Sequence, residues 1–400
     1  MKKNWNCCGL MAIILAFVLG SCKDNELTKE IPLPQTSESE VGYELVDYQG
    51  LKVTVPKGFP KEALNPTSFP KYVDYLKNIG SVANRRVDAG GGADVSKIDA
   101  GYLINLMLET KKTYPDISKS PLKDKDLRQI MKDIPSIRNE QDMWKNNDIV
   151  FDYYSDLIRE EALRKALKDP KAVKSNGRTD DAILLFAGTF VVYVAWVGWP
   201  YAWMLQAQND ADYRVVQDIS GGLIPTSKPL PIAAAKDVDG EKGNAYRHSL
   251  WNALGVKYMI DAGVSKNRAL ERMRDVATTY EAIQNQWQLF GATNQFFWND
   301  PQQAFGAVPD NLNSAMDLNN NLVGRTYMQA NTSWGIWQIR SMPSYSQICD
   351  EMKNKANSST NYTSRDDIWR IYDSGTPTNG FQQLKWWAYD DNYRSLVRVL

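Results

Sequence analysis

From Ala182 to Asn209 the chain carries no charged side chain. No other feature of its 400 residues constrains the fold as strongly. A helix of about 20 apolar residues crosses a bilayer, so the run is long enough to span one. It also suits a central helix, apolar all round because other helices wrap it. Thr179, Asp180 and Asp181 come just before it and offer an N-cap and negative charge at the positive end of the helix dipole. Pro200 interrupts the run, and its Tyr and Trp residues are spread along it instead of gathering in interfacial belts. These features favour a buried core; a face that meets lipid or a partner is the alternative. The periodicity elsewhere predicts a mainly α fold, a helical domain around this apolar helix, with a short β-hairpin near the N-terminus.

The hairpin falls at Tyr43 to Val55, where weak alternation surrounds Tyr48-Gln-Gly-Leu51. Helical patterns follow at Tyr72–Ile79, Ile98–Thr113 and Glu140–Lys168. In the last, Ile149, Tyr153, Leu157, Ala162 and Leu163 form an apolar stripe, and Arg159-Glu-Glu161 with Arg164-Lys165 is expected to face solvent. The glycines of Asp88–Asp94 lack the Gly-Lys-Ser/Thr of a phosphate loop and read as a connector. Pro170 and Ser175-Asn-Gly177 mark a boundary. Ala211–Ile219 continues the apolar segment as a short helix. Later helices are predicted at Asn244–Ala262, Ser265–Leu289, Asn311–Ala330 and Trp337–Lys355, and an aromatic closing segment begins at Asp366.

The N-terminus reads as a targeting signal. Lys2 and Lys3 precede an apolar stretch, Leu10 to Leu19, that is too short to remain as a spanning helix. It ends in Leu19-Gly-Ser-Cys22, which resembles the lipobox of bacterial lipoproteins. The resemblance implies a lipidated Cys22 at the new N-terminus. Lys23-Asp-Asn-Glu26 is similar to the acidic tag of Bacteroidota surface lipoproteins and implies an outer-membrane address, with the cell surface as one option. The organisation predicted is a signal at 1–21, a lipidated flexible tether at 22–42, a mostly helical N-terminal region at 43–175 and a C-terminal helical domain at 178–400. The partners implied are the membrane, through the lipid on Cys22, and an envelope protein or ligand of unknown identity.

Composition removes several function classes. Basic and acidic residues balance at 47 each, which gives no electrostatic argument for binding nucleic acid. Cys7 and Cys8 leave with the signal and Cys22 carries lipid, so Cys349 is the one thiol left and no intrachain disulfide can form. Asp350 and Glu351 beside it disfavour a thiolate, and Cys349 reads as a helical core or surface residue. No motif names a cofactor.

The chain has a single histidine, His248, so a multi-histidine metal site is excluded. On a helix starting near Asn244 it shares a face with Ala245, Asn252 and Gly255, with Trp251 beside it and Arg247 at a neighbouring angle. Arg247, His248, Trp251 and Asn252 together suit a pocket wall; a core histidine stacked on Trp251 is the plainer alternative.

Ala245-Tyr-Arg-His-Ser-Leu-Trp-Asn-Ala-Leu254 resembles an uncharacterised family of bacterial domains with the core Ala-Phe/Tyr-Arg-His-x-x-Trp-Asn-Ala-Leu. In that family a His-Glu pair follows on the next helix, then Met-Asp-Leu-His-Asn-Asn-x-x-Gly-Arg. This chain has Tyr280-Glu281 at the second place and Met316-Asp-Leu-Asn-Asn-Asn-Leu-Val-Gly-Arg325 at the third. The resemblance covers about Asp239 to Arg325. It implies a site built on His248, Glu281 and Asp317, with Tyr280 and Asn319 standing where the family has imidazoles. Three outcomes follow from that set. The three side chains hold a metal; or Glu281 orients or ionises His248 for acid–base work; or Arg247, Glu281, Asp317 and Asn320 form a buried polar network that fixes the helices. Two functions remain, a binding domain without turnover and a hydrolase-like enzyme using His248 with Glu281 and Asp317.

Overall fold

The computed structural model describes residues 42–65, 72, 75–76, 95, 98–172, 194–195, 197–226, 241–284, 312–334, 340–364 and 396–399, with the backbone alone at 278–284, 312–315, 334, 340 and 397–399. The predicted signal and tether, the glycine connector, the first part of the apolar run and the aromatic closing segment lie outside these residues.

The fold is mainly helical, with the hairpin in place. Strands β1 (Tyr43–Tyr48) and β2 (Leu51–Pro56) pair antiparallel. Gln49 (φ 52°) and Gly50 (φ 88°) form the two-residue turn, whose left-handed backbone matches strand twist. Tyr48, Val53 and Val55 face the core. Among the described residues that follow are helices α1 (Ala100–Lys111), α2 (Asp124–Asp133), α3 (Glu140–Lys145) and α4 (Asn147–Ala166). Asp99 caps α1 by accepting the Tyr102 N–H at 2.8 Å. The pattern read as one helix from Glu140 to Lys168 is broken at Asn146 into α3 and α4. Helix α2 is additional to the sequence reading.

Helix α4 corrects one expectation. Arg159 and Glu160 are buried, 5% and 2% exposed, where the stripe predicted a solvent face. The Arg159 guanidinium pairs with Asp156 at 2.7 Å, donates to the Ala63 carbonyl at 2.8 Å and lies over the Tyr72 ring. Glu160 accepts from the Tyr75 hydroxyl and from Arg164, both at 2.5 Å. Tyr48, Ala63, Tyr72 and Tyr75 lie against the polar side of α4, and its buried charges are met by these residues and by Asp156 and Arg164 of the helix itself.

The second half contains α5 (Tyr201–Ser220), α6 (Lys242–Asp261), α7 (Lys266–Gln284), α8 (Leu312–Asn331) and α9 (Tyr345–Asn357). Helix α6 packs against the other four and is buried on every side from Gly243 to Val256. The apolar run is not one continuous helix: Gly198 takes φ 78°, and α5 begins after Pro200. Val194, Ala195, Val197, Trp199, Tyr201, Met204 and Ala207 from that run are buried. Among the described residues no helix is long and apolar enough to cross a membrane. Helix α9 starts at Tyr345, later than predicted, because Ser344 and Gln347 close a capping box and Arg340–Ser341 forms a short strand with Ser333–Trp334.

Candidate functional site

Helices α6 and α8 carry matching polar rows. Asn244, His248 and Asn252 lie four residues apart on one face of α6; Asp317, Asn321 and Arg325 do the same on α8. The rows face each other in register, each residue opposite the one 73 positions later. Asn244 Nδ2 donates to Asp317 Oδ1 at 3.4 Å, His248 Nδ1 meets Asn321 Oδ1 at 3.2 Å, and Arg325 donates to Asn252 Oδ1 at 2.8 Å. Diagonal contacts join the rungs: Asn252 Nδ2 donates to Asn321 Oδ1 at 2.6 Å, and His248 Nε2 lies 3.3 Å from Asp317 Oδ1. Constant offset means that the two helices run parallel.

Small residues bring the helices together. A Cβ on Gly324 would lie 2.1 Å from the Ser249 carbonyl oxygen, so only glycine fits there. At this distance short amide side chains can bridge, and they occupy the ladder. Gly255 faces α7, where a Cβ would meet Met273 Sδ at 2.3 Å, a flexible side chain rather than backbone.

The ladder is enclosed. Asn244, Asn252 and Asn321 are fully buried and His248 is 1% exposed; Arg247 at 9% and Asp317 at 8% are the least covered. Arg247 Nη2 donates to Asn244 Oδ1 at 3.0 Å and lies 2.8 Å from His248 Nε2. A guanidinium has no acceptor, so Nε2 presents its lone pair to Arg247 and the ring proton sits on Nδ1, donated to Asn321.

The sequence-predicted residues divide as follows. His248, Asp317, Arg247 and Asn252 meet in the ladder. Trp251 is buried beside it, but its indole N–H donates to the Met204 carbonyl at 3.0 Å, towards α5. Asn320 is fully buried and accepts from Asn319 Nδ2 at 3.3 Å, next to the ladder row. Glu281 lies on α7, its side chain outside the described residues, as is Cys22 altogether. Among the described residues no cluster of three or more His, Cys, Asp or Glu is placed to hold a metal. Asn244, Asn321 and Arg325 are the functional candidates the sequence reading missed. Their signal was the matching four-residue spacing within two separate motifs.

Cys349 is fully buried in α9, and burial pushes its thiol up to about 11. The one hydroxyl proton of Tyr246, on another face of α6, lies between Asp218 Oδ2 at 2.9 Å and the Cys349 carbonyl at 3.1 Å; burial raises its phenol well above the usual range.

No curated protein and no solved structure matches the chain. Residues 232–360, which contain α6 to α9 and the whole ladder, match DUF6973, a domain of unknown function.

Proposed function

We propose that this is a lipid-anchored cell-envelope protein, held at the outer membrane through Cys22, whose helical domain binds a partner or ligand without turnover. In this reading the His248 ladder is structural. The observation that carries it is the engagement of both ring nitrogens inside an enclosed row, Nδ1 with Asn321 and Nε2 with the Arg247 cation. A general base needs a free lone pair within hydrogen-bond reach of the substrate proton. The Leu19-Gly-Ser-Cys22 string and the polar stretch after it support the anchor.

The hydrolase reading rests on a different observation, the 3.3 Å approach of Asp317 Oδ1 to His248 Nε2 at the least covered end of the row. With Glu281 on the adjacent helix, these groups would form the acid–base set.

His248→Ala and His248→Gln separate the two readings. Truncation takes one hydrogen-bond partner from Asn321 Oδ1, which keeps Asn252, and one from Arg247 Nη2, which keeps Asn244, so the Ala variant melts below the wild type and the Gln variant recovers part of the loss. Both are then assayed on chromogenic esters, amides, phosphoesters and glycosides. Wild-type turnover that disappears in a folded Gln variant establishes the enzyme and removes the structural reading. For the anchor, mass spectrometry of the N-terminal peptide from cells should find acyl chains on Cys22, and Cys22→Ser should move the protein to the soluble fraction. An unmodified cysteine in a membrane-bound chain overturns it.

A further inference from the structure

The two edges of the β1–β2 hairpin are treated differently. Tyr48 and Leu51 close the two-residue turn and exchange backbone hydrogen bonds, and bonded pairs alternate from there: Val46 with Val53, Glu44 with Val55. Lys52 and Thr54 therefore point their backbone groups outward on the β2 side. One group of each is met: Lys52 N–H donates to Ser136 Oγ at 2.8 Å, and the Thr54 carbonyl accepts from the Tyr153 hydroxyl at 2.5 Å. On the β1 side the outward groups belong to Tyr43, Leu45 and Asp47. Among the described residues none of their outward N–H or C=O groups has a backbone or side-chain partner.

The side chains on that edge are also uncovered. Tyr43 and Leu45 are 61% and 58% exposed, two of the four large hydrophobics exposed among the described residues. An open groove of about 460 Å³ runs beside Leu45, walled by it and by Val46, Asp47, Lys61, Leu64 and Asn65. An edge with unpaired backbone is a template for strand addition, and proteins usually block one with charged side chains, Lys above all, with Pro or with a covering loop; here the charges are the two acids Glu44 and Asp47. This edge has no Lys or Pro between Tyr43 and Tyr48.

We propose that β1 pairs antiparallel with β1 of a second copy of this chain, about a two-fold axis through Leu45. A symmetric dimer requires a self-complementary patch. In this register Leu45 faces Leu45 of the other copy, and Tyr43 faces Asp47 in both directions. All three outward residues on each side are used, with none left over. On the other sheet face Glu44 meets Val46, so no like charges stand directly opposite. Cationic Lys52, 3.5 Å from Asp47, and Lys61 in the groove wall offset the acids at the edge. The ladder is short and buries far less than the roughly 1,200 Å² of a stable interface, so the dimer is a weak, exchanging one. This goes beyond the proposed function and holds whichever role His248 has.

The test uses the mature chain carrying Cys22→Ser, which leaves every described residue in place, at protein concentrations from about 5 to 500 μM. Sedimentation should show a reversible monomer–dimer equilibrium, and hydrogen exchange should show protection across 43–48 that rises with concentration. Leu45→Pro removes an N–H that the hairpin does not use, so the hairpin survives and the dimer is lost. Tyr43→Glu sets a carboxylate opposite Asp47 twice per dimer and weakens association about tenfold, while Tyr43→Lys does not weaken it. Tyr43 is exposed, so this pair reads the register even if Leu45→Pro misfolds. A chain that stays monomeric at the highest concentration overturns the proposal. So does a dimer indifferent to Leu45→Pro, or one in which Tyr43→Glu and Tyr43→Lys behave alike.

Discussion

Helix α4 and the α6–α8 pair both bury polar side chains, but they satisfy them in opposite ways. The α6–α8 ladder is periodic: six residues, two helices and one offset, with neutral amides at three of the six positions. The α4 cluster is ionic and assembled from afar. Asp156 accepts from the Tyr48 hydroxyl at 2.7 Å and the Asn65 N–H at 2.6 Å, 108 and 91 residues away in the chain, and pairs with Arg159 at 2.7 Å. A ladder of this kind fixes register and helix direction, since a slip by one residue breaks every rung. A cluster of charges fixes which distant segments must close over α4. The first is a device for aligning two helices and the second for folding a chain back on itself.

The largest effect is expected where the ladder depends on close approach. Gly324→Ala places a Cβ against the Ser249 backbone oxygen, which cannot rotate away, so α6 and α8 must part and all rungs lengthen together. A loss of about 4 kcal/mol or more is expected, at the extreme of single substitutions, read as a fall in Tm of the order of ten degrees. The same change at Gly221, where the nearest backbone oxygen is 3.4 Å away, serves as the control and should cost far less. Equal losses at the two glycines would break the distinction between a register device and ordinary packing.

On the α4 side, Asp156→Ala removes the counter-charge of a guanidinium that is 5% exposed and strips an acceptor from Tyr48 and from Asn65. Breaking a buried pair from one side costs about 3–5 kcal/mol. The ionic account requires that the double variant with Arg159→Met recover a large part of that loss, because no charge is then left buried alone. Denaturant melts of the two single variants and the double give the coupling directly. Additive losses would mean that Asp156 acts through its neutral hydrogen bonds instead of its charge.

The sequence made one of these regions readable and not the other. The His248 motif, the Asp317 motif and the hairpin turn at Gln49-Gly50 are short-range patterns, and each led to the right element. The ladder itself was not read from the sequence: His248, Asn252 and Asp317 were singled out separately, and the network expected around Asp317 named Arg247, Glu281 and Asn320 in place of Asn244, Asn321 and Arg325. Arg159 and Glu160 were expected outside because periodicity along a helix reports one apolar stripe, not what another segment lays over the remainder. Asn146 and the Ser344 capping box moved helix boundaries by local hydrogen bonding that an apolar pattern does not register. Glu281 was placed on its helix by sequence, and its relation to His248 lies beyond the side chains described.

The smallest predicted effect concerns Asp152, where the two halves of the molecule meet. Its Oδ2 accepts from Arg268 of α7 at 2.8 Å and from Gln49 at 3.2 Å, while Oδ1 is buried without a partner. Burial raises its carboxyl above the ordinary value, outweighing the lowering by Arg268 and Arg272, with Asp156 adding to the rise. The folded state thus holds the proton more tightly than the unfolded one. Its contribution to stability is fully present below the unfolded carboxylate range and is lost as pH rises through the folded value. At neutral pH the charged carboxylate is therefore a cost, despite its ion pair. Asp152→Asn should melt higher than the wild type at pH 7, and the difference should shrink towards zero as pH falls below about 4. The contrast with Asp156 lies in their partners: Asp156 has three hydrogen-bonded or charged partners on its two oxygens, and Asp152 leaves one oxygen bare. If Asp152→Asn instead melts lower at pH 7, the Arg268 contact outweighs burial and the seam between α4 and α7 is held by charge.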